Sequence, residues 1–303
     1  MTGFVTIAAS LLLGLLAPWL LMKALARTLA EGRRVENYRG RPVFLGLGIV
    51  WVLWAGAALV IGLSATASGD AQLLPLLTLA GPLALAAFVF GLIDDALGTG
   101  ADRGFRGHIK AALRGRLTTG GLKVLGVSAA SYAAALVVVE AAGWAVGGAW
   151  TSALMALPAG AAIALTANFV NLTDLRPGRA LKVYSVLVTV GAVLLVLGAR
   201  QLWADDIARA VSEIVALVIL LAAPVVAVWK YDAGELGMLG DSGANPAGAV
   251  AGLVFVLALP FWAVLVYLAA VFALNLASEK VSFSRAIESN RFLHRLDMLG
   301  RRP

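Results

Sequence analysis

The chain has 303 residues, of which 61% are hydrophobic and 14% charged, with a formal net charge of +7, no cysteine and two histidines. A soluble domain carries about 25% charged residues, so an ordinary soluble fold is excluded. The missing cysteines exclude disulfides, thiolate metal sites and cysteine nucleophiles, and His108 and His294 alone are too few for a His-rich metal site.

Apolar stretches run from 4 to 25, 43 to 63, 73 to 93, 123 to 140, 152 to 171, 183 to 199 and 211 to 229, then as one long run from 246 to 277. Each of the first seven suits one bilayer crossing. The first lacks a basic n-region and a small-residue cleavage site, so it reads as a span and not as a signal peptide. At about 1.5 Å per residue the last run is too long for one crossing, and Pro260 is the natural place for a turn.

Lys and Arg gather at 27 to 42, 94 to 123, 172 to 182 and after 277. Loops 64 to 72 and 141 to 151 have none, and 200 to 210 has only Arg200 and Arg209. The positive-inside rule then places the N-terminus outside, and it accounts for the basic excess without a nucleic-acid partner. Eight spans would leave Lys280, Arg285, Arg291, Arg295, Arg301 and Arg302 outside, whereas a turn at Pro260 gives nine spans and a cytoplasmic tail. The expectation is an all-α polytopic membrane protein, a single domain over residues 1–303 with its tail at 278–303. Gly56, Gly62, Gly126, Ser128 and Ser131 within the spans suit close helix packing in lipid.

The third, fifth and seventh spans end on the same side, and each is followed by acids: Asp94 and Asp95, then Asp174, then Asp241. Near helix C-termini such charges are unfavourable by about 0.3–1 kcal/mol each, a cost that a bound cation would relieve. Hard oxygen donors without sulfur suit Mg²⁺ or Mn²⁺. Each stretch also has a plainer reading. Asp94 and Asp95 can simply end a hydrophobic helix at the water boundary. Asn168, Asn171 and Asp174 fall within about 120° of one helical face, either as a cavity-facing stripe or as helix-packing glue. Pro177 and Gly178 force a turn, and Arg179 and Lys182 after it serve a phosphate or mark the inner leaflet. Gly240, Asp241, Ser242 and Gly243 form either a phosphate-approachable loop with a metal-holding Asp or a generic turn. The basic loop at 101 to 121, with Arg106, His108, Lys110, Arg114 and Arg116, reads as a phosphate clamp or an amphipathic surface helix.

Taken together, DD after span three, NxxNxxD at the end of span five and GDxG after span seven resemble the polyprenyl-phosphate N-acetylhexosamine-1-phosphate transferase superfamily. The resemblance covers roughly residues 40 to 300. RGRPVFLGLG at 39 to 48 is similar to a degraded Pro-Thr-Met-Gly-Gly segment, and Lys123 stands where the family has a functional lysine. Counted back from Gly300, His294 and Asp297 match the middle His and the Glu of the family's Pro-x-His-His-His-x-Glu-x-x-Gly loop, with Leu293 and Arg295 in place of the other two histidines. Pro177 replaces the second Asp of the family's Asp-Gly-x-Asp-Gly, and the family's tenth span is missing.

The resemblance implies transfer of a sugar-1-phosphate from a nucleotide-diphosphate sugar, UDP-linked, to a polyprenyl phosphate at the cytoplasmic face of a bacterial inner membrane. It implies Mg²⁺, with Mn²⁺ as a substitute, held by Asp241 and Asp174. Asp94, Asp95, Asp174, Lys123 and His294 are the implied catalytic groups, and Asn168, Asn171, Arg179, Lys182 and Asp297 the substrate-binding ones. Membrane lipid is a further partner, and a homodimer is an option. With Arg176 and Arg179 around Pro177, the turn is expected to be positive and to favour a donor other than UDP-MurNAc-pentapeptide. Two other classes stand beside this one: a non-catalytic relative that binds or carries polyprenyl phosphate, and a proton-coupled transporter. The transporter predicts carboxylates at the bilayer midplane, whereas these lie at one edge.

Overall fold

The structure, a computed structural model, describes residues 3–69, 71–98, 107, 110–111, 113–203 and 206–301. In chain order its elements are α1 Gly3–Glu31, β1 Arg34–Glu36, β2 Pro42–Leu45, α2 Leu47–Ser68, α3 Leu74–Leu97 and α4 Thr119–Ala141. Then follow α5 Ala149–Thr173, α6 Arg179–Ala199, α7 Ile207–Asp232, β3 Gly237–Met238, α8 Gly240–Ala258, α9 Phe261–Ser278, α10 Phe283–Ser289 and α11 Arg291–Met298. Helices α1 to α7 and α9 are long and apolar enough to cross a membrane. The protein is therefore helical, polytopic and membrane-embedded. Of the basic residues singled out from the sequence, Arg106, His108 and Arg302 lie outside the described residues.

Helix α8 is the axis of the bundle. Every residue from Ser242 to Val256 is buried, and α8 packs against α3, α5 and α6. Its small residues explain the intimacy of that packing. A Cβ on Gly248 would lie 2.5 Å from the Ala167 Cα of α5, and one on Gly252 would lie 2.8 Å from the Ile163 Cα. In lipid, where apolar burial gives little drive, such close backbone contact is what holds helices together. As the sequence suggests, the long last run breaks at Pro260: Leu259 ends α8 and Pro260 caps the start of α9.

Pro224 inside α7 cannot donate to the carbonyl of Leu220, and a bare carbonyl within the bilayer costs several kcal/mol. Trp54 of α2 supplies the missing donor, its Nε1–H lying 2.7 Å from the Leu220 oxygen. Tyr184 of α6 donates its hydroxyl to the next carbonyl, Leu221, at 2.9 Å. Trp51 meets both rings edge-on and donates Nε1–H to the Gly243 carbonyl of α8 at 3.1 Å. Trp54 and Tyr184 thus serve two carbonyls of the turn before Pro224, and with Trp51 they tie α2, α6, α7 and α8 together.

One departure from an all-helical chain is a small three-stranded sheet at one end of the bundle. β1 and β2 pair antiparallel, and β2 pairs parallel with β3. The second span consequently starts at Leu47 and not at 43, because Val43, Phe44 and Leu45 are engaged in strand pairing. Gly46, at φ 115°, makes the change of direction into α2.

Candidate functional site

The acids singled out from the sequence meet around the first turn of α8. Gly240, Asp241 and Ser242 present the free backbone N–H groups of a helix N-terminus. Gly240 N–H donates to Asp174 Oδ2 at 3.0 Å, and Asp241 and Ser242 N–H donate to the two carboxylate oxygens of Asp95, each at 2.9 Å. Asp174 caps α5 and Asp95 lies in the last turn of α3, so two other helices supply the cap that α8 lacks. Gly240 is needed there: its φ is 63°, and a Cβ would lie 2.8 Å from Asp95 Oδ2.

This arrangement corrects the expected electrostatics. Asp241 is in the first turn of a helix, not in a loop at a helix C-terminus, so the α8 dipole favours its charge. Asp95 and Asp174 do end their own helices, but they are turned to the positive end of α8. The cost that was to call for a cation is already offset within the fold.

Asp94, one residue before Asp95, faces the other way. Lys123 in α4 places its Nζ 2.9 Å from Asp94 Oδ2 and also donates to Asp241 Oδ2. Thr118 starts α4 by accepting the Gly121 N–H at 3.0 Å, which fixes the helix that carries Lys123. The three side chains are 13 to 21% exposed, sheltered yet reachable from water.

Beyond the cluster lies a narrow cleft lined by Asp174, Arg176, Pro177, Asp232, Glu235 and Tyr38. Burial, and then the charge of Asp232, holds the Asp174 carboxyl well above the ordinary value of 3.8. Asp232 accepts the Gly178 N–H at 2.8 Å, and Gly178, at φ 67°, makes the turn that Pro177 and Gly178 announce in the sequence. Asp232 and Glu235 were not picked out from the sequence, although both stand within nine residues of Asp241 in YDAGELGMLGD. Arg33 was missed too: its guanidinium donates to the Asp95 and Ala96 carbonyls at 2.7 and 2.8 Å, capping the C-terminus of α3.

Other expected site residues have different duties. Arg179 is 3% exposed; Nε and Nη2 reach the two oxygens of Asp297 at 2.9 and 2.8 Å, and Nη1 reaches Ser284 Oγ at 2.8 Å. It is therefore not a free cation for a donor phosphate. Asp297 is equally engaged, with Arg179 and Arg301, and Lys182 donates to its backbone carbonyl. Burial alone would raise the Asp297 carboxyl, but the hydrogen bonds and charge of Arg179, with Arg301, bring it below 3.8. These residues clamp the C-terminal tail to the bundle. Arg176 lies 4.1 Å over the Tyr38 ring and pairs with Glu288 at 3.1 Å, so both arginines of the turn expected to be positive have acidic partners, Glu288 and Asp297. Asn168 donates to Asn275 of α9 at 2.7 Å, which favours packing glue over a substrate role. Asn171 is half-buried, and its side chain has no hydrogen-bond partner among the described residues. His294 is exposed on α11 and is not brought into the cluster by any contact of its ring.

Asp94 and Asp241 converge on one ammonium with further oxygens to spare. That donor set fits a hard divalent cation, which takes one or two carboxylates and fills its remaining positions with water and phosphate. No larger group of acidic or histidine side chains suited to a metal occurs among the described residues. Asp174, the other expected ligand, has Oδ2 committed to Gly240.

Neither a family model nor a curated protein matches the chain. Fold and site define a polytopic membrane protein with a carboxylate–lysine cluster at one edge of its bundle.

Proposed function

We propose that the chain is a phosphoglycosyl transferase of a bacterial inner membrane, with nine spans, the N-terminus outside and the cluster at the cytoplasmic face. The observation that carries this reading is the meeting of Asp94, Lys123, Asp174 and Asp241, from four helices far apart in sequence, at a single end of the bundle. Helix α8 supplies the ninth crossing. Its 19 residues span roughly 28 Å, close to the hydrocarbon thickness, and its polar first turn is sheltered by Asp95 and Asp174.

In the proposed reaction an acceptor oxygen of a polyprenyl phosphate attacks the sugar-linked phosphorus of a nucleotide-diphosphate sugar. A new P–O bond forms while the bond to the bridging oxygen breaks, and a nucleoside monophosphate leaves with that electron pair. The acceptor is largely ionised near neutral pH, so placement matters more than a base. Lys123 holds phosphate charge, Asp94 and Asp241 would hold Mg²⁺ or Mn²⁺, and Asp95 and Asp174 keep the first turn of α8 in position. The cation, when bound, would neutralise the diphosphate and polarise the phosphorus under attack.

The second reading, a carrier that binds polyprenyl phosphate without turnover, is favoured by the engagement of Arg179 in the tail clamp and by the exposed His294 ring, which makes no contact with the cluster among the described residues. One experiment separates them. Purified protein is incubated with undecaprenyl phosphate, Mg²⁺ and a panel of nucleotide sugars. Release of nucleoside monophosphate, lost in Asp241→Asn and Asp94→Asn, is expected. Lipid binding with no release from any donor supports the carrier.

A further inference from the structure

The tail presents an apolar face that the bundle does not cover. On α11, Phe292, Leu293 and Leu296 fall within about 100° of the helix circumference, and they are 68, 43 and 42% exposed. Leu299, just past the helix, is 61% exposed. Arg295 flanks this stripe on one side and Asp297 on the other, while Arg291 and His294 lie toward the opposite face. Within α11, Asp297 is the buried residue, and it holds the helix through Arg179.

The location is constrained from both ends. α11 follows the last apolar helix, which ends at Ser278, after only a short connection and α10. Phe283 packs edge-on against Phe169 near the end of α5, and Arg179 opens α6, so the tail lies level with the helix ends at one membrane edge. Charge completes the picture. Glu288 and Asp297 are already paired with Arg176, Arg179 and Arg301. Lys280, Arg285, Arg291 and Arg295 form no ion pair among the described residues.

We propose that α11 and its flanks form a docking surface for anionic phospholipid headgroups of the bilayer that the protein spans. Phe292, Leu293, Leu296 and Leu299 enter the acyl boundary while Arg295, at the edge of the stripe, meets the phosphates. An amphipathic helix with a basic flank binds an interface in this manner, by apolar burial together with attraction to negative lipid. The Asp297 clamp sets the helix's rotation, so that its apolar stripe faces the membrane beside the bundle.

The absence of cysteine makes the test direct. Nitroxide labels are attached to Leu293→Cys, Leu296→Cys and His294→Cys in the full chain, reconstituted in vesicles of phosphatidylcholine alone or mixed with phosphatidylglycerol. Collisions with oxygen and with a water-soluble nickel chelate report depth. With phosphatidylglycerol, labels at 293 and 296 should gain oxygen collisions and lose nickel collisions, while the label at 294 stays accessible to nickel. Arg295→Gln should lower the ratio of docked to undocked tail about fivefold, and high salt should act in the same direction. Equal nickel access at 293, 294 and 296 in both lipids overturns the proposal. So does equal burial in both lipids, which removes the anionic assignment. Spin–spin broadening at 296 that vanishes on dilution with unlabelled protein also overturns it, since a second copy would then cover the face.

Discussion

Removing the Asp95 carboxylate tests whether this residue builds the site or reacts in it. Its two oxygens accept the N–H groups of Asp241 and Ser242, both at 2.9 Å. A hydrogen bond to a charged acceptor contributes about 1.5–3 kcal/mol, and a helix N-terminus adds about 0.3–1 kcal/mol for a neighbouring anion. Asp95 is half-buried, so water takes over part of its role once it is gone, and the discounted cost of Asp95→Ala is roughly 2–4 kcal/mol. Asp95→Asn retains one acceptor without the charge and should lose roughly half as much. The assay is unfolding in detergent together with amide exchange over residues 239–245. If the first turn of α8 opens locally, exchange there rises at least about 30-fold, while amides around Gly252 change little. Unchanged exchange in Asp95→Ala, or an Asp95→Asn as damaging as Asp95→Ala, would refute the capping argument.

Trp54→Phe should cost about 1–3 kcal/mol, because it bares the Leu220 carbonyl that Pro224 leaves open. Adding Pro224→Ala restores a backbone donor, so a double-mutant cycle in detergent should show the second change recovering much of the first loss. Arg179→Ala leaves the 7% exposed Asp297 carboxylate with Arg301 as its remaining charged partner, costs the docked tail about 1.5–3 kcal/mol and should make residues 279–290 sensitive to protease, with donor affinity unchanged. The Asp174 carboxyl, raised by burial and by Asp232, binds its proton more readily in the folded chain than in the unfolded one. Its contribution to stability is therefore fully present below 3.8 and is lost as pH rises through the higher folded value, and Asp174→Asn should remove that part of the slope in thermal unfolding across pH.

The spans are legible because hydropathy is a local property, and the break at Pro260 follows from one residue's missing N–H and fixed φ. The sheet is not, because β1 and β2 are three and four residues long and β3, which completes the sheet, is a two-residue strand about 190 positions away. Asp94 and Asp95 show the limit most sharply. They are identical neighbours, yet about 100° of helical rotation sends one to Lys123 and the other to the N-terminus of α8. The structural partners of Arg179 and Asn168 are hidden in the sequence for a common reason. Each is matched by a partner more than a hundred residues away, Asp297 and Asn275, and spacing along the chain carries no sign of it.

On the proposed chemistry, the division of labour among the four acids bears on how substrate and cation meet. Lys123 holds Asp94 and Asp241 together while its ammonium is their common counter-ion. A diphosphate that approaches this ammonium competes with both carboxylates. Each carboxylate it displaces gains an oxygen free for a hard cation. The donor should consequently bind more tightly with the cation present, and by linkage the cation should bind more tightly with the donor present. Such an exchange needs a site that keeps its shape while Lys123 changes partners. Asp95 and Asp174 provide that, because their bonds run to backbone N–H groups of α8 and not to Lys123. The acids that hold the helix are separate from the acids that face the ammonium, so charge can be rearranged at the mouth without loosening the axis of the bundle.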